Sequence, residues 1–201
     1  MALARGTAGL SGGRAARTSR VVPASTFWLA PWLGAVACLS GCASEPVHGE
    51  STGSFEPLVL LSDWAPVARG DDPFITQPDA APACIGPGFV VEQQWLEIDT
   101  ALCNWVTLAA PARFSIDAGE QLRIIVSHFD LNAPSAAEGE ARLTLGDCDA
   151  WSKVVAIPSA AAVYTETFAS ACSIAEGDVV YFHLHNHGQN NWQLQELSAE
   201  R

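Results

Sequence analysis

Short runs in which apolar and polar residues alternate follow one another from about residue 55 to the end of the chain. This alternation predicts β-strands that bury one face, because successive side chains of a strand point to opposite sides. Residues that favour turns, namely glycine, proline, asparagine and aspartate, separate the runs. The predicted strands cover residues 57–61, 89–98, 103–109, 121–131, 141–145, 151–157, 162–168, 179–186 and 192–197.

The same pattern predicts an all-β fold. No stretch shows the 3.6-residue apolar period of a long amphipathic helix. Many short strands separated by turns at roughly ten-residue intervals are typical of an antiparallel β-sandwich, and we expect a jelly-roll-like arrangement. With 201 residues the chain suits one such domain, predicted over 55–198, preceded by a targeting segment.

The segment 177–197, which contains the last two predicted strands, carries three of the five histidines of the chain. In strand 179–186 one face is suited to the core, and it consists of Val180, Phe182, Leu184 and Asn186. The opposite face becomes a row of imidazoles, which continues past the strand end to His187. Gly188 ends this strand and 189–191 predicts a turn. We therefore expect strands 179–186 and 192–197 to pair as a hairpin.

The histidine row is the first candidate for a functional site, because neutral imidazole is a common ligand of zinc and copper. A strand rises ~3.3 Å per residue, so His183 and His187 are about 13 Å apart at Cα and cannot easily share one ion. We expect a site of two neighbours, His183 with His185 or His185 with His187. His128 from a paired strand would complete it, with Asp130 as ligand or hydrogen-bond acceptor. The alternative is a solvated or hydrogen-bonded histidine row without metal.

A catalytic version of this site needs an open coordination position and a nearby general base. Glu166, Asp130 and Asp178 are available carboxylates, and the HExxH motif of zinc proteases is absent. A metal-dependent hydrolase or lyase is therefore an alternative function, while the main expectation is a non-catalytic binding module.

Tryptophans provide a second candidate site. Trp95, Trp151 and Trp192 lie in or next to predicted strands. An exposed indole stacks on a sugar ring through its apolar face, so these residues predict a carbohydrate-binding or adhesion jelly roll as a further alternative. The competing interpretation is that the indoles pack in the core, as large aromatic side chains usually do.

Cysteine usage predicts two disulfides. Cys38 and Cys42 lie in the N-terminal segment, which leaves four cysteines in the predicted domain. Four cysteines allow three pairings. We favour Cys84–Cys103 and Cys148–Cys172, because each closes a short loop between neighbouring strands. No CxxC pair occurs, which argues against a thiolate zinc site or a redox motif.

The N-terminal segment has the features of an export signal. Residues 1–20 include arginines and no acidic residue, and 21–39 are mostly apolar. The sequence Leu39-Ser40-Gly41-Cys42 follows, and it resembles the lipobox of bacterial lipoproteins. The resemblance implies a signal peptide over 1–41, cleavage before Cys42, a lipid on the Cys42 thiol, and acylation of the new amino terminus.

An uncleaved transmembrane anchor is the alternative, although Pro23 and Pro31 interrupt an apolar run barely long enough to span a membrane. Residues 42–54 are polar and predict a flexible tether. By analogy with enterobacterial lipoproteins, Ala43 after the lipidated cysteine indicates the outer membrane.

Charge narrows the range of partners. The chain has 22 acidic and 10 basic residues, a formal net charge of −12. Cleavage before Cys42 would remove four arginines and no acidic residue, which makes the mature chain more acidic still. Such a chain repels phosphate backbones, so nucleic acid is excluded as an expected partner.

The sequence therefore predicts a lipid-anchored binding module of the cell envelope, with its domain in the periplasm or at the cell surface. The expected partners are the membrane, through the lipid, and a small ligand, a metal or a glycan.

Overall fold

The computed structural model describes residues 53–76, 84–92 and 94–201. The predicted signal peptide, Cys42 and the tether up to residue 52 lie outside the described residues. Within the described part of the chain, no helix has the length and apolar character needed to cross a membrane.

The described residues form eleven strands and one short 3-10 helix, Leu61–Asp63. The strands are β1 (Phe55–Pro57), β2 (Ala65–Pro66), β3 (Phe89–Val91), β4 (Leu96–Asp99), β5 (Trp105–Pro111), β6 (Gln121–His128), β7 (Ala137–Leu145), β8 (Cys148–Ile157), β9 (Ala162–Ala169), β10 (Val179–Asn186) and β11 (Asn191–Glu200). The predicted all-β fold is confirmed. The single strand expected over 89–98 is a hairpin, because the chain turns where the Glu92 amide donates to the Trp95 carbonyl at 2.9 Å.

Two antiparallel sheets pack face to face as a jelly-roll-like sandwich. The six-stranded sheet has the order β3-β4-β11-β6-β9, with β1 also paired to β11. The five-stranded sheet has the order β2-β5-β10-β7-β8. Apolar side chains from alternate positions of both sheets fill the space between them, and Trp192 and Phe182 are among the largest of these.

The predicted core face of β10 is confirmed, because Val180, Phe182, Leu184 and Asn186 are all buried. Asn186 is the polar member of this face. Its side-chain amide donates to Thr100 Oγ1 at 2.9 Å and to the Gly188 carbonyl at 3.0 Å. These bonds fix the loop that follows β10.

The expected hairpin between β10 and β11 is wrong. β10 lies between β5 and β7 in the five-stranded sheet, whereas β11 lies between β4 and β6 in the six-stranded sheet. Both strands have an apolar face, and each buries that face from its own side of the sandwich. Residues 187–190 therefore connect the two sheets rather than two neighbouring strands.

Both favoured disulfides are present, Cys84–Cys103 and Cys148–Cys172. The second joins the start of β8 to the loop after β9, and so it links the edges of the two sheets. On the chain-entropy account, closing loops of this length stabilises the fold by roughly 3 kcal/mol each.

Candidate functional site

The imidazole row lies on the outer face of the five-stranded sheet, and a segment of chain covers part of it. Residues 67–76, here called the strap, cross this face after β2. The Phe74 ring stacks on the His183 ring with centroids 4.4 Å apart. Both side chains are buried, and His183 has no exposed surface. The strap therefore places His183 in a small core of its own, on the outside of the sheet.

Asp72 fastens the strap to β5. Its Oδ2 accepts hydrogen bonds from Trp105 Nε1 at 2.7 Å and from Thr107 Oγ1 at 3.0 Å, and its Oδ1 accepts from the Phe74 amide at 2.9 Å. Thr107 Oγ1 is also 2.7 Å from His183 Nδ1. Because the threonine proton goes to the carboxylate, the hydrogen-bond network assigns the histidine proton to Nδ1, which donates to Thr107.

This network leaves His183 neutral. Burial lowers the pKa of His183 to about 3; nearby Asp72 opposes the shift, while His185 and Arg142 add to it. The carboxylate contacts the threonine and not the imidazole. The order of groups therefore differs from that of a nucleophilic triad, in which the imidazole lies between hydroxyl and carboxylate.

The remaining members of the row are more accessible. His185 is half-buried and contacts both Trp105 and His187, with ring centroids 4.7 Å and 4.3 Å apart. Of the two neighbouring pairs expected to bind metal, His185 with His187 is the pair whose rings touch. Zinc or copper binding there stays a prediction.

The structure does not bring His128 to this row, and the expectation of a strand paired with β10 is wrong. His128 lies on β6, in the other sheet, and is buried against Trp192 with ring centroids 4.8 Å apart. Its Nδ1 lies 2.7 Å from the Phe129 carbonyl and its Nε2 lies 3.0 Å from the Tyr164 hydroxyl. Alternation places a residue on a face, but it does not assign the strand to a sheet.

The three candidate carboxylates have structural partners. Asp130 Oδ1 accepts from the Ala161 amide, and Asp178 Oδ2 accepts from the Ala175 amide. Glu166 accepts from Trp151 Nε1 and pairs with Lys153. The hydrogen bond from Trp151 is the main reason why the pKa of Glu166 is lowered, against the effect of burial. In the described ranges, no three histidine, cysteine or acidic side chains are grouped as a metal would require.

The metal prediction has a direct test. Zinc titrated into the untagged full chain should bind at about one equivalent if the His185–His187 pair is a site, and His185→Ala should abolish this binding. His48→Ala, which changes a histidine outside the predicted domain, is the control. Elemental analysis and calorimetry measure both. Zinc binding unaffected by His185→Ala would contradict the prediction.

The three tryptophans singled out in the sequence have different surroundings. Trp192 is fully buried in the core, and Trp151 is buried with its indole N–H on Glu166. Neither is an exposed platform for a sugar ring. Trp95 is half-buried at the β3–β4 turn and lines a surface cleft with Val91, Glu92 and Gln94.

Trp95 precedes a strand whose outward side chains join a continuous polar surface. This surface, here called the amide face, lies on the outer side of the six-stranded sheet and consists of Glu97, Ser127, Asn191, Gln193 and Gln195. Glu97 accepts from Asn191 Nδ2 at 2.5 Å and from Gln193 Nε2 at 3.1 Å. Gln195 Nε2 donates to Ser127 Oγ at 2.9 Å, and Ser127 Oγ donates to Gln193 Oε1 at 3.2 Å.

Two clefts lie on this side of the molecule, near β4 and β11. Trp95 lines the one described above, and Gln195 itself lines a cleft of about 370 Å³ together with residues of the β1–β2 connection. Period-2 alternation along β11 puts Gln193 and Gln195 on one side of the strand. It could not show that Glu97, almost a hundred residues earlier, would lie beside them.

Comparisons with known proteins give likenesses of shape only. No family model matches the chain, and no curated protein matches it. A solved structure described as "CBM4 structure and function" is 12% identical and covers 73% of this chain and 95% of its own, with a TM-score of 0.42. The N-terminal cellulose-binding domain of Cellulomonas fimi β-1,4-glucanase C is 13% identical, covers 64% of this chain and 94% of its own, and has a TM-score of 0.40. TmCBM61 in complex with β-1,4-galactotriose is 10% identical, covers 70% and 90%, and has a TM-score of 0.35.

Proposed function

We propose that this chain is a non-catalytic carbohydrate-binding module that contacts its glycan with the amide face. The observation that supports the proposal is the connected row of amide, hydroxyl and carboxylate groups beside Trp95. Sugar hydroxyls both donate and accept hydrogen bonds, and side-chain amides offer both functions in one plane. Trp95 would supply the apolar contact for the face of a sugar ring.

The network also makes the amide face suitable for binding because its side chains are already held in place. Free glutamine side chains lose rotamer entropy when they bind, at a cost of about 0.5–1.5 kcal/mol each. Gln193 and Gln195 are bonded to Glu97 and Ser127 before any ligand arrives. Glycan binding would therefore cost less rotamer entropy at these two side chains.

The geometry favours this function over the two others that the sequence allowed. The histidine row is partly enclosed by the strap, and His183 is wholly buried. Of the carboxylates considered for catalysis, two accept hydrogen bonds from backbone amides. The third, Glu166, accepts from Trp151 and from Lys153. The amide face, by contrast, is a polar surface across β4, β11 and β6, on which Glu97, Asn191, Gln193 and Gln195 are partly exposed.

A double variant of the amide face tests the proposal. Gln193→Ala with Gln195→Ala should weaken glycan binding roughly 10- to 100-fold, because two uncharged hydrogen-bonding side chains contribute about 1–3 kcal/mol together. Gln121→Ala is the matched control, since Gln121 is a glutamine on the same sheet face outside the network. Glycan arrays followed by affinity electrophoresis would measure the change. Equal glycan binding by the double variant and the control would contradict the proposal, as would the absence of any glycan ligand.

We also propose that a lipid on Cys42 holds the module at the outer membrane. The support is the Leu39-Ser40-Gly41-Cys42 sequence after a basic and then apolar segment. Two or more acyl chains would anchor the protein stably, whereas one chain would not. Metabolic labelling with an alkyne palmitate should label the chain, and Cys42→Ser should remove the label and leave the precursor uncleaved. Cys38→Ser, the neighbouring cysteine, should change neither, and labelling that survives Cys42→Ser would refute the anchor.

A further inference from the structure

A third cleft lies on the opposite side of the sandwich from the amide face. It has a volume of about 330 Å³ and is formed between the strap and the β7–β8 turn. Its lining includes Phe74 from the strap, Arg142 and Thr144 from β7, and Asp147 and Asp149 from the turn and the start of β8. This strap cleft shares no residue with the amide face.

Two buried polar atoms in the strap cleft have no hydrogen-bond partner among the described residues. Thr144 is 5% exposed, and its Oγ1 makes no hydrogen bond, although Asp149 lies directly opposite on β8. Arg142 Nε is likewise unbonded; it lies 3.4 Å from Asp149 Oδ1, an ion pair that lacks hydrogen-bond geometry. Buried polar groups are normally hydrogen-bonded, so these two atoms leave hydrogen-bonding capacity unused at the floor of the strap cleft.

The charges of the strap cleft select the kind of ligand. Arg142 repels a cation, and the carboxylates of Asp147 and Asp149 repel an anion. A neutral ligand with hydroxyl groups fits all of them, because each hydroxyl can accept from Arg142 or Thr144 and donate to a carboxylate. Phe74 also borders the cleft, and the Arg142 guanidinium lies over its ring at 5.7 Å. The volume is near the lower limit for ligand pockets, about 300 Å³, which suits a single ring and not a chain.

We propose that the strap cleft is a second binding site, which takes one neutral sugar ring or a similar polyol. This site is independent of the amide face and does not require that the amide face bind glycan. The two sites lie on the outer faces of different sheets, so one molecule would hold two saccharides at once.

Ligand-observed saturation-transfer NMR on the full chain, with glucose, galactose, mannose and xylose as probes, tests the second site. At least one of the four should bind, and Thr144→Val should weaken it roughly tenfold, as expected for the loss of a hydrogen bond of about 1.4 kcal/mol. Asp149→Asn, at an exposed side chain, should weaken it similarly without a risk to folding. Thr165→Val, on the exposed face of β9, is the matched control and should change nothing.

The amide-face variant with Gln193→Ala and Gln195→Ala separates the two proposals. Binding of the monosaccharide should persist in that variant even where polysaccharide binding is lost. The second site is overturned if none of the four sugars binds, if Thr144→Val and Asp149→Asn leave binding unchanged, or if the amide-face variant alone abolishes it. Stabilisation by calcium that depends on Asp149, with no sugar binding, would assign the cleft to a cation and overturn the proposal as well.

Discussion

Acidification should destabilise the domain by roughly 4 kcal/mol between pH 7 and pH 3 through His183 alone. Burial keeps the pKa of His183 at about 3 in the folded protein, whereas an imidazole in the unfolded chain has a pKa near 6.5. Between pH 6.5 and pH 3 the His183 imidazole is therefore protonated in the unfolded state but neutral in the folded state. The contribution of His183 to the free energy of unfolding is fully present above pH 6.5 and is lost as the pH falls toward 3.

The groups around the ring explain why it resists protonation. Its Nδ1–H already donates to Thr107, and the ring is enclosed by Phe74 and Trp105. Arg142 faces it from β7, and a second positive charge would repel this guanidinium. Asp72 attracts the proton, but the hydroxyl of Thr107 separates the two groups.

Urea unfolding at pH 7.0 and pH 4.5, with chelator present, measures the effect. From pH 7.0 to pH 4.5 the free energy of unfolding of the unchanged protein should fall by roughly 2–3 kcal/mol more than that of His183→Phe. His187→Phe, which removes the exposed histidine at the end of the row, should keep the full loss. If His183→Phe loses as much stability as the unchanged protein, the imidazole is not the source.

Asp72→Ala should destabilise the domain by roughly 3 kcal/mol, because it breaks a buried network that contains a charge. Asp72 is buried and accepts three hydrogen bonds. Its removal leaves the buried indole N–H of Trp105 without a partner and frees the strap from β5. We expect the strap to detach, and His183 to become exposed with it.

Asp71→Ala is the matched control, since Asp71 is the exposed neighbour of Asp72. Its effect on the free energy of unfolding should stay within about 0.5 kcal/mol. Chemical denaturation gives the stability of both variants. Reaction of His183 with diethyl pyrocarbonate, located by mass spectrometry, reports whether the strap has detached. A fully stable Asp72→Ala variant with His183 still protected would show that other contacts hold the strap.

The sandwich was predictable because its causes are local. Period-2 alternation in β10 places Val180, Phe182 and Leu184 on one face, and such a face must be buried wherever the strand goes. Both disulfides were predicted from cysteines that lie close together along the chain, 19 and 24 residues apart. The sheet to which β10 and β11 belong was not predictable in this way. Each has an apolar face that must be buried, and this is achieved equally well whether the two strands pair side by side in one sheet or face each other from two sheets.

The sites were harder to predict because they depend on distant segments. Asp72 and Phe74 lie in a strap with no strand or helix period, yet they decide that His183 is buried and neutral. Glu97 orders Gln193 only because β4 and β11 are neighbours. Imidazoles and tryptophans stood out by residue type, whereas the amide face consists of residues that are common on any surface.

The short ladder between β1 and β11 determines how the domain responds to mechanical load. Ser54 pairs with Arg201, and Phe55–Pro57 continues the antiparallel ladder to Ser198. A pull on the chain before Gly53 acts on the open end of this ladder and separates its pairs one after another, as in unzipping. The few residues of β1 would detach first and lengthen the tether. The rest of the sandwich and both of its outer faces would stay intact under tension.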